Sequence, residues 1–242
     1  MLKIRKVCKS FSGFMALKHM NMSVEVGEMR ALIGPNGAGK TTLFNVISGY
    51  FLPDSGDVEF KGRSIIGMPR HRIYHEGLSR SFQVTSVFPR YSVFQNVQLA
   101  LMSRHRRCRD IVSRVKGVMY DEVYQLLEFV KMSDVANGVA GELSAGNRKR
   151  LEFAMALAAD PELMLLDEPT AGMGESEKGL VIAIIKNMNR ERGVTILFTE
   201  HDMDIVFNMA RKITVMHDGS LFAEGLPQEI HDDKRVQEIY FG

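Results

Sequence analysis

Cysteine is nearly absent from these 242 residues: Cys8 and Cys108 are the only two, far apart and without metal-ligand spacing. Two such cysteines read as ordinary thiols and fit a reducing cytosol better than a disulfide framework. Charge of one sign is lacking too. Lys and Arg number 31 against 29 Asp and Glu, and a net charge of +2 gives no general electrostatic case for nucleic acid, so any such contact would have to be local. Long hydrophobic runs are missing: no window approaches the roughly 18 uncharged apolar residues that cross a bilayer. The most apolar stretch, Leu151 to Leu166, is interrupted by Glu152, Asp160, Pro161 and Glu162. The N-terminal Met1-Leu2-Lys3-Ile4-Arg5-Lys6-Val7 alternates charged and apolar residues, which reads as a strand and lacks the continuous apolar core of a signal peptide. Any role at a membrane must then use a partner.

What is present is a hydrophobic content of 45%, enough for one large α/β domain or a core with an inserted subdomain. One stretch organises it: Gly34-Pro35-Asn36-Gly37-Ala38-Gly39-Lys40-Thr41-Thr42 fits the phosphate-loop pattern G-x-x-x-x-G-K-[ST] at every defined position. The glycines let successive backbone N–H groups turn inward around an anion. Lys40 supplies a point charge for the outer phosphates and Thr41 a hydroxyl for Mg²⁺. Met29-Arg30-Ala31-Leu32-Ile33 reads as the strand before the loop. Leu43, Val46 and Ile47 share the inner face of a helix whose N-terminal dipole would aim at the phosphates.

Along the chain, residues 1–28 read as short strands joined by turns. Pro53-Asp54-Ser55-Gly56 marks a turn, Asp57 to Phe60 a short strand, and Pro69 to His75 a helical piece leading to Leu78-Ser79-Arg80-Ser81-Phe82-Gln83. From 84 to 142 the character changes. Phe94, Val97, Leu101, then Val123, Leu126, Leu127 and Val130 recur at helical spacing, which predicts an inserted helical subdomain. It contains the basic run Arg104-His105-Arg106-Arg107-Cys108-Arg109, read as a solvated loop or helix end, or as a contact for anionic headgroups or a partner. The α/β pattern returns at Leu143. Ser144 can cap a helix with Leu151, Ala154, Met155 and Ala158 inside, stopped by Asp160-Pro161. Leu163 to Leu166 and Val194 to Phe198 are apolar runs of the kind a doubly covered parallel strand requires, and Ile213 to Ala223 reads as a hairpin about Asp218-Gly219.

Three strands thus end in polar groups: the phosphate loop, Asp167-Glu168 and Thr199-Glu200-His201. Ligands of an open parallel sheet bind beyond the carboxyl ends of its strands, so these groups should converge on one nucleotide. Asp167 suits Mg²⁺, directly or through water; Glu168 suits orienting and deprotonating the attacking water; His201 could donate to a γ-phosphate.

The phosphate loop, Gln83, Leu143-Ser144-Ala145-Gly146-Asn147, Leu163 to Glu168 and Thr199-Glu200-His201 occur in the order seen in ATP-binding cassette ATPases, and the resemblance covers essentially the whole chain. It implies a P-loop (RecA-like) core with a mostly parallel sheet over residues 1–83 and 143–242, an N-terminal antiparallel β subdomain, and the helical insert at 84–142. It also implies that Phe11 stacks on adenine, Gln83 senses Mg²⁺ and attacking water, Glu168 is the catalytic base and His201 the γ-phosphate switch. Residues 143–147 match the family signature that touches the nucleotide of an opposing subunit, with Ser144 and Gly146 as its contacts, so a second ATPase subunit is expected.

The signature departs from the family's common form at Ala145, where glycine is usual, and at Asn147, where glutamine is usual. Gly174 replaces an aspartate that often crosses the dimer interface. A different ATPase as partner would make the two nucleotide sites unequal. Arg80-Ser81-Phe82-Gln83, Ala171-Gly172-Met173, Glu200-His201-Asp202-Met203 and the ending Glu238-Ile239-Tyr240-Phe241-Gly242 look most like ATPases of branched-chain amino acid and amide importers. Such ATPases work with membrane permeases and an extracytoplasmic solute-binding protein. The expected location is the cytoplasmic face of the membrane, reached through the permeases. A cassette ATPase acting on ribosomes or DNA, and a regulatory module that binds ATP without hydrolysis, are the alternatives.

Overall fold

Alternation of apolar side chains sets the architecture: in each buried parallel strand, successive residues face two different cores. The computed structural model describes residues 1–81, 87–104 and 119–241. Its main sheet has the order β10-β9-β3-β8-β7-β6. The strands are β3 (Met29–Ile33), β6 (Leu78–Ser81), β7 (Leu163–Asp167), β8 (Thr195–Thr199), β9 (Lys212–His217) and β10 (Ser220–Gly225). Pairing is parallel from β9 through β3, β8 and β7 to β6, and antiparallel only between β9 and β10. Met164 and Leu166 enter one core together with Ala31, Ile33, Ile196 and Phe198. Leu163 and Leu165 enter the other with Leu32, Leu197 and Met216. Both faces of the sheet are thereby covered.

The second core lies between this sheet, helix α1 (Lys40–Ile47) and an antiparallel sheet of order β2-β1-β4-β5. The latter comprises β1 (Leu2–Phe11), β2 (Phe14–Val24), β4 (Ser55–Phe60) and β5 (Arg63–Ser64). Strands β1 and β2 are long rather than the short pieces the sequence suggests. Register shifts between Ile4 and Val7, Val7 and Lys9, and Lys9 and Ser10, with Lys6 and His19 at positive φ, break the alternation that would have revealed them.

On the other face stand α3 (Val93–Arg104), α4 (Tyr120–Phe129), α5 (Ala145–Leu157), α6 (Glu175–Arg192) and α7 (Met203–Met209), after the short α2 (Arg70–His75); α8 (Pro227–Asp232) and α9 (Lys234–Phe241) close the chain. Val93, Val97 and Leu101 of α3 and Val123, Leu126 and Leu127 of α4 share a core with Leu151, Ala154 and Leu157 of α5. The inner face of α5 includes Phe153 and Leu157, while Met155 is only half-buried. Ser144 does cap the helix, its Oγ accepting from Asn147 N. The hairpin about Asp218-Gly219 forms as the sequence suggests.

Arg30, in the middle of β3, is buried to 1% exposure. Its guanidinium donates to Glu28 Oε1 at 2.8 Å, to Thr214 Oγ1 at 3.1 Å and to Glu224 Oε2 at 2.5 Å, so the charge is answered from β10 and from the turn preceding β3. Removing one partner of a buried ion pair leaves the other uncompensated. Arg30→Ala should therefore cost about 3 kcal/mol in urea unfolding, whereas Arg5→Ala, at an exposed pair with Glu59, should cost less than about 1 kcal/mol.

Candidate functional site

The carboxyl ends of β3, β8 and β7, three neighbours in the sheet, carry the predicted polar groups. At the end of β3 the chain turns through Gly34 (φ 153°), Gly37 (φ 82°) and Gly39 (φ 98°) before α1 begins at Lys40. Two of these glycines are required for space as well as for dihedral angle: a Cβ on Gly34 would lie 2.2 Å from the carbonyl oxygen of Met216, and one on Gly39 2.5 Å from that of Ala16. The loop is braced from outside, since Gly219 N donates to Ala38 O and Lys18 N donates to Gly219 O. The turn of the β9–β10 hairpin, unremarkable in the sequence, is thus a support of the phosphate loop.

Helix α1 starts without a side-chain cap or an acidic residue in its first turn. Its orphan N–H groups and dipole are left for an anion. Lys40 Nζ donates to the carbonyls of Gly34 (2.6 Å) and Pro35 (3.0 Å). Burial pushes the Lys40 ammonium below its usual pKa, opposed by the negative charges of Glu168 and Asp167. Thr41 and Thr42 follow in the first turn, and Asn36 is exposed on the loop.

Asp167, the last residue of β7, is buried and held from two sides. Thr199 Oγ1 donates to its Oδ1 at 2.8 Å, and Arg80 Nη2 lies 3.2 Å from its Oδ2. Arg80 comes from β6, an edge strand that the sequence did not disclose, and also donates to Asn45 Oδ1 (2.6 Å) and Ser48 Oγ (3.1 Å) on or just beyond α1. Burial lowers the pKa of this guanidinium and Asp167 raises it. Next comes Glu168, a non-glycine residue at φ 46° whose N–H is received by Thr199 O and Oγ1. Its Oε1 lies 2.9 Å from Nε2 of His201. Glu200, between Thr199 and His201, is buried and accepts from Thr170.

The structure therefore brings Lys40, Asp167, Glu168 and His201 into one cluster and adds Arg80, Thr199, Thr170 and Glu200, to none of which the sequence reading gave a role of its own. Their common signal is placement: each flanks a strand end that already carries a predicted residue. Phe11 sits at the tip of β1, edge-on to Phe51 with centroids 5.1 Å apart and with Lys9 Nζ 5.4 Å from its ring centre. Gln83 and the basic run beyond Arg104 lie outside the described residues.

Ser144 and Gly146 have a different neighbour. Ser144 Oγ donates to Glu177 Oε1 at 2.9 Å, and a Cβ on Gly146 would come within 2.7 Å of the same oxygen. A carboxylate from α6 thus rests on the N-terminus of α5. Between that end of α5 and the end of β7, a cavity of about 350 Å³ is lined by Ala145, Arg148, Lys149, Asp167, Glu168 and Met173, among others.

The ABC transporter family matches residues 17–171. The high-affinity branched-chain amino acid transport ATP-binding protein BraF of Pseudomonas aeruginosa is 32% identical over 249 residues, covering 100% of this chain and 97% of that protein. The probable branched-chain amino acid transport ATP-binding protein LivG of Archaeoglobus fulgidus is 34% identical over 245 residues, covering 100% and 95%. A solved ATP-binding cassette of an ABC transporter in its ADP conformation superposes with a TM-score of 0.85 at 31% identity, covering 100% of this chain and 98% of that one. With a phosphate loop and two acid-tipped strands converging in a fold shared end to end with these proteins, the chain belongs to the ABC transporter family and is an ATPase of it.

Proposed function

We propose that this chain is the ATPase subunit of an importer for branched-chain amino acids or related amides, working through separate membrane permeases. The observation that carries the catalytic part is the 2.9 Å approach of Glu168 Oε1 to His201 Nε2 beside the phosphate loop. The solute class rests on the full-length similarity to branched-chain amino acid transport ATP-binding proteins.

In this reading the backbone N–H groups of residues 34–42 and Lys40 receive the phosphates of ATP, and Phe11 stacks on the adenine. Glu168 accepts a proton from the attacking water, and His201 donates to the γ-phosphate; the family resemblance gives Gln83 a part in orienting that water for in-line attack. The Thr41 hydroxyl and the Asp167 carboxylate are hard oxygen donors, the set that suits Mg²⁺ alongside phosphate oxygens. When bound, Mg²⁺ neutralises charge on the β- and γ-phosphates. Asp167 is pre-oriented for that by Arg80 and Thr199.

Two chains, alike or different, close over two ATP molecules, with Ser144 and Gly146 of each meeting the other's γ-phosphate. The segment 84–142 acts as a helical subdomain. A groove of about 440 Å³ between it and the β6 edge, lined by Tyr74, Phe88, Leu99 and Met155 among others, receives the end of a permease helix. The chain has no described helix long and apolar enough to cross a membrane, so the permeases place it at the cytoplasmic face, with a solute-binding protein acting on the far side.

Glu168→Gln should lower steady-state phosphate release at least about 100-fold, equivalent to about 2.7 kcal/mol of barrier, while ATP affinity stays within about threefold. Turnover within threefold of wild type would remove Glu168 from the role of base. For the pairing of chains, Ser144→Arg should abolish ATP-driven association with the partner ATPase, measured by light scattering or gel filtration, without loss of ATP binding. An unaltered association would exclude residues 143–147 from the shared site.

A further inference from the structure

The geometry points to Glu200 as a positioning residue that sets the relation between Glu168 and His201. This inference rests on the catalytic reading of those two residues. Glu200 is 6% exposed, and a carboxylate so buried is tolerated only when its oxygens are satisfied. They are, by two different segments. Oε1 accepts from Thr170 N at 3.0 Å and from Thr170 Oγ1 at 2.5 Å; Oε2 accepts from His201 N at 3.2 Å. One oxygen therefore holds the turn that follows β7, and the other holds the backbone of the switch histidine at the end of β8.

The reason such a clamp is needed lies in Glu168 itself. At φ 46° it occupies a left-handed conformation that costs a non-glycine residue free energy and persists only when its surroundings impose it. Upstream, its N–H is fixed by Thr199 O and Oγ1. Downstream, Pro169 has no N–H to offer, so the first donor after Glu168 is Thr170 N, and Glu200 takes it. Glu168 is thus stapled to β8 on both sides, by Thr199 before it and by Glu200 after it. A single-oxygen side chain at 200 could not reach Thr170 and the His201 amide with separate acceptors. Because Glu200 also anchors the residue next to it, a displacement of the 168–170 turn and one of His201 are linked.

The test is steady-state ATP hydrolysis by the full chain, assembled with the partners that turnover requires, beside equilibrium binding of a non-hydrolysable ATP analogue. Glu200→Ala should lower kcat at least about tenfold while KM and analogue affinity stay within about threefold, the mark of lost positioning rather than lost binding. Glu200→Gln keeps an oxygen for the two Thr170 donors but loses the acceptor for His201 N, so it should recover kcat only to within about fivefold of wild type, and Thr170→Val should lose about threefold. Combined with Glu200→Ala, Thr170→Val should add nothing further, because the hydroxyl contact it removes is already lost. A Glu200→Ala enzyme within twofold of wild type, a Gln variant no better than Ala, or a loss carried by KM would each overturn the assignment. If the alanine variant does not fold, Glu200→Gln and Thr170→Val decide by the same criteria. Glu168→Gln and His201→Ala serve as references: if they retain turnover, the catalytic reading fails, and if they lose it while Glu200→Ala does not, only the role of Glu200 falls.

Discussion

Burial of a parallel sheet on both faces is the constraint from which the rest follows. Strands β3, β7 and β8 are buried at every residue, so apart from the ion-paired Arg30 they carry polar side chains only at their ends. Their order in the sheet makes these ends neighbours, and the parallel direction puts the three carboxyl ends on one edge. Lys40, Glu168 and His201 need no long-range search to meet; the sheet delivers them. What the sheet cannot do is orient them, and that task falls to hydrogen bonds between adjacent ends. Thr199 Oγ1 illustrates this economy: it donates to Asp167 and accepts from Glu168 N, coupling two consecutive candidate residues at the end of β7 to one hydroxyl of β8.

The pattern of what the sequence disclosed follows from the same physics. Met29–Ile33 and Leu163–Leu166 were legible because a doubly buried strand has to be apolar almost throughout. Even so, Arg30 inside β3 was opaque. A charged residue in a strand reads as an exposed position, and one of its two answering carboxylates, Glu224, is 194 residues away. β6 was missed for a related reason: Leu78-Ser79-Arg80-Ser81 carries no apolar run, and Arg80 is buried only because Asp167, Asn45 and Ser48 receive it. The two N-terminal strands were blurred by bulges, which swap the faces of the residues beyond them. Motif residues were legible because their spacing is local. The residues that hold them in place were not, because those contacts are made across the sheet.

Glycines show how local and distant demands overlap. The spacing of Gly34, Gly37 and Gly39 was explained in the sequence by the freedom a phosphate loop needs. Gly37 has open space around it and fits that account alone, while Gly34 and Gly39 are pressed against the carbonyls of Met216 and Ala16. The loop is therefore shaped as much by β9 and β2 behind it as by the anion in front. This is why its conformation is fixed before any nucleotide contributes, and a preorganised loop holds its N–H dipoles toward phosphate without a reorganisation cost at binding.

Gly146 bears on the proposed second chain. In the sequence it stands for close approach of a γ-phosphate to the N-terminus of α5, yet the group that approaches it here is the Glu177 carboxylate, which also accepts a hydrogen bond from the Ser144 hydroxyl. An acidic group at a helix N-terminus is stabilised by the dipole and the unpaired N–H groups, so Glu177 meets the same electrostatic demand as a phosphate would. Within one chain that demand is already answered, and a cavity lies between this end of α5 and Asp167 and Glu168 at the end of β7. For Ser144 to serve a nucleotide, its hydroxyl must exchange Glu177 for the phosphate, and an incoming γ-phosphate adds a like charge beside that carboxylate. In the proposed closure of two chains over ATP, that repulsion would weigh against the contact between Ser144 and the γ-phosphate, and the other contacts to ATP would have to exceed it.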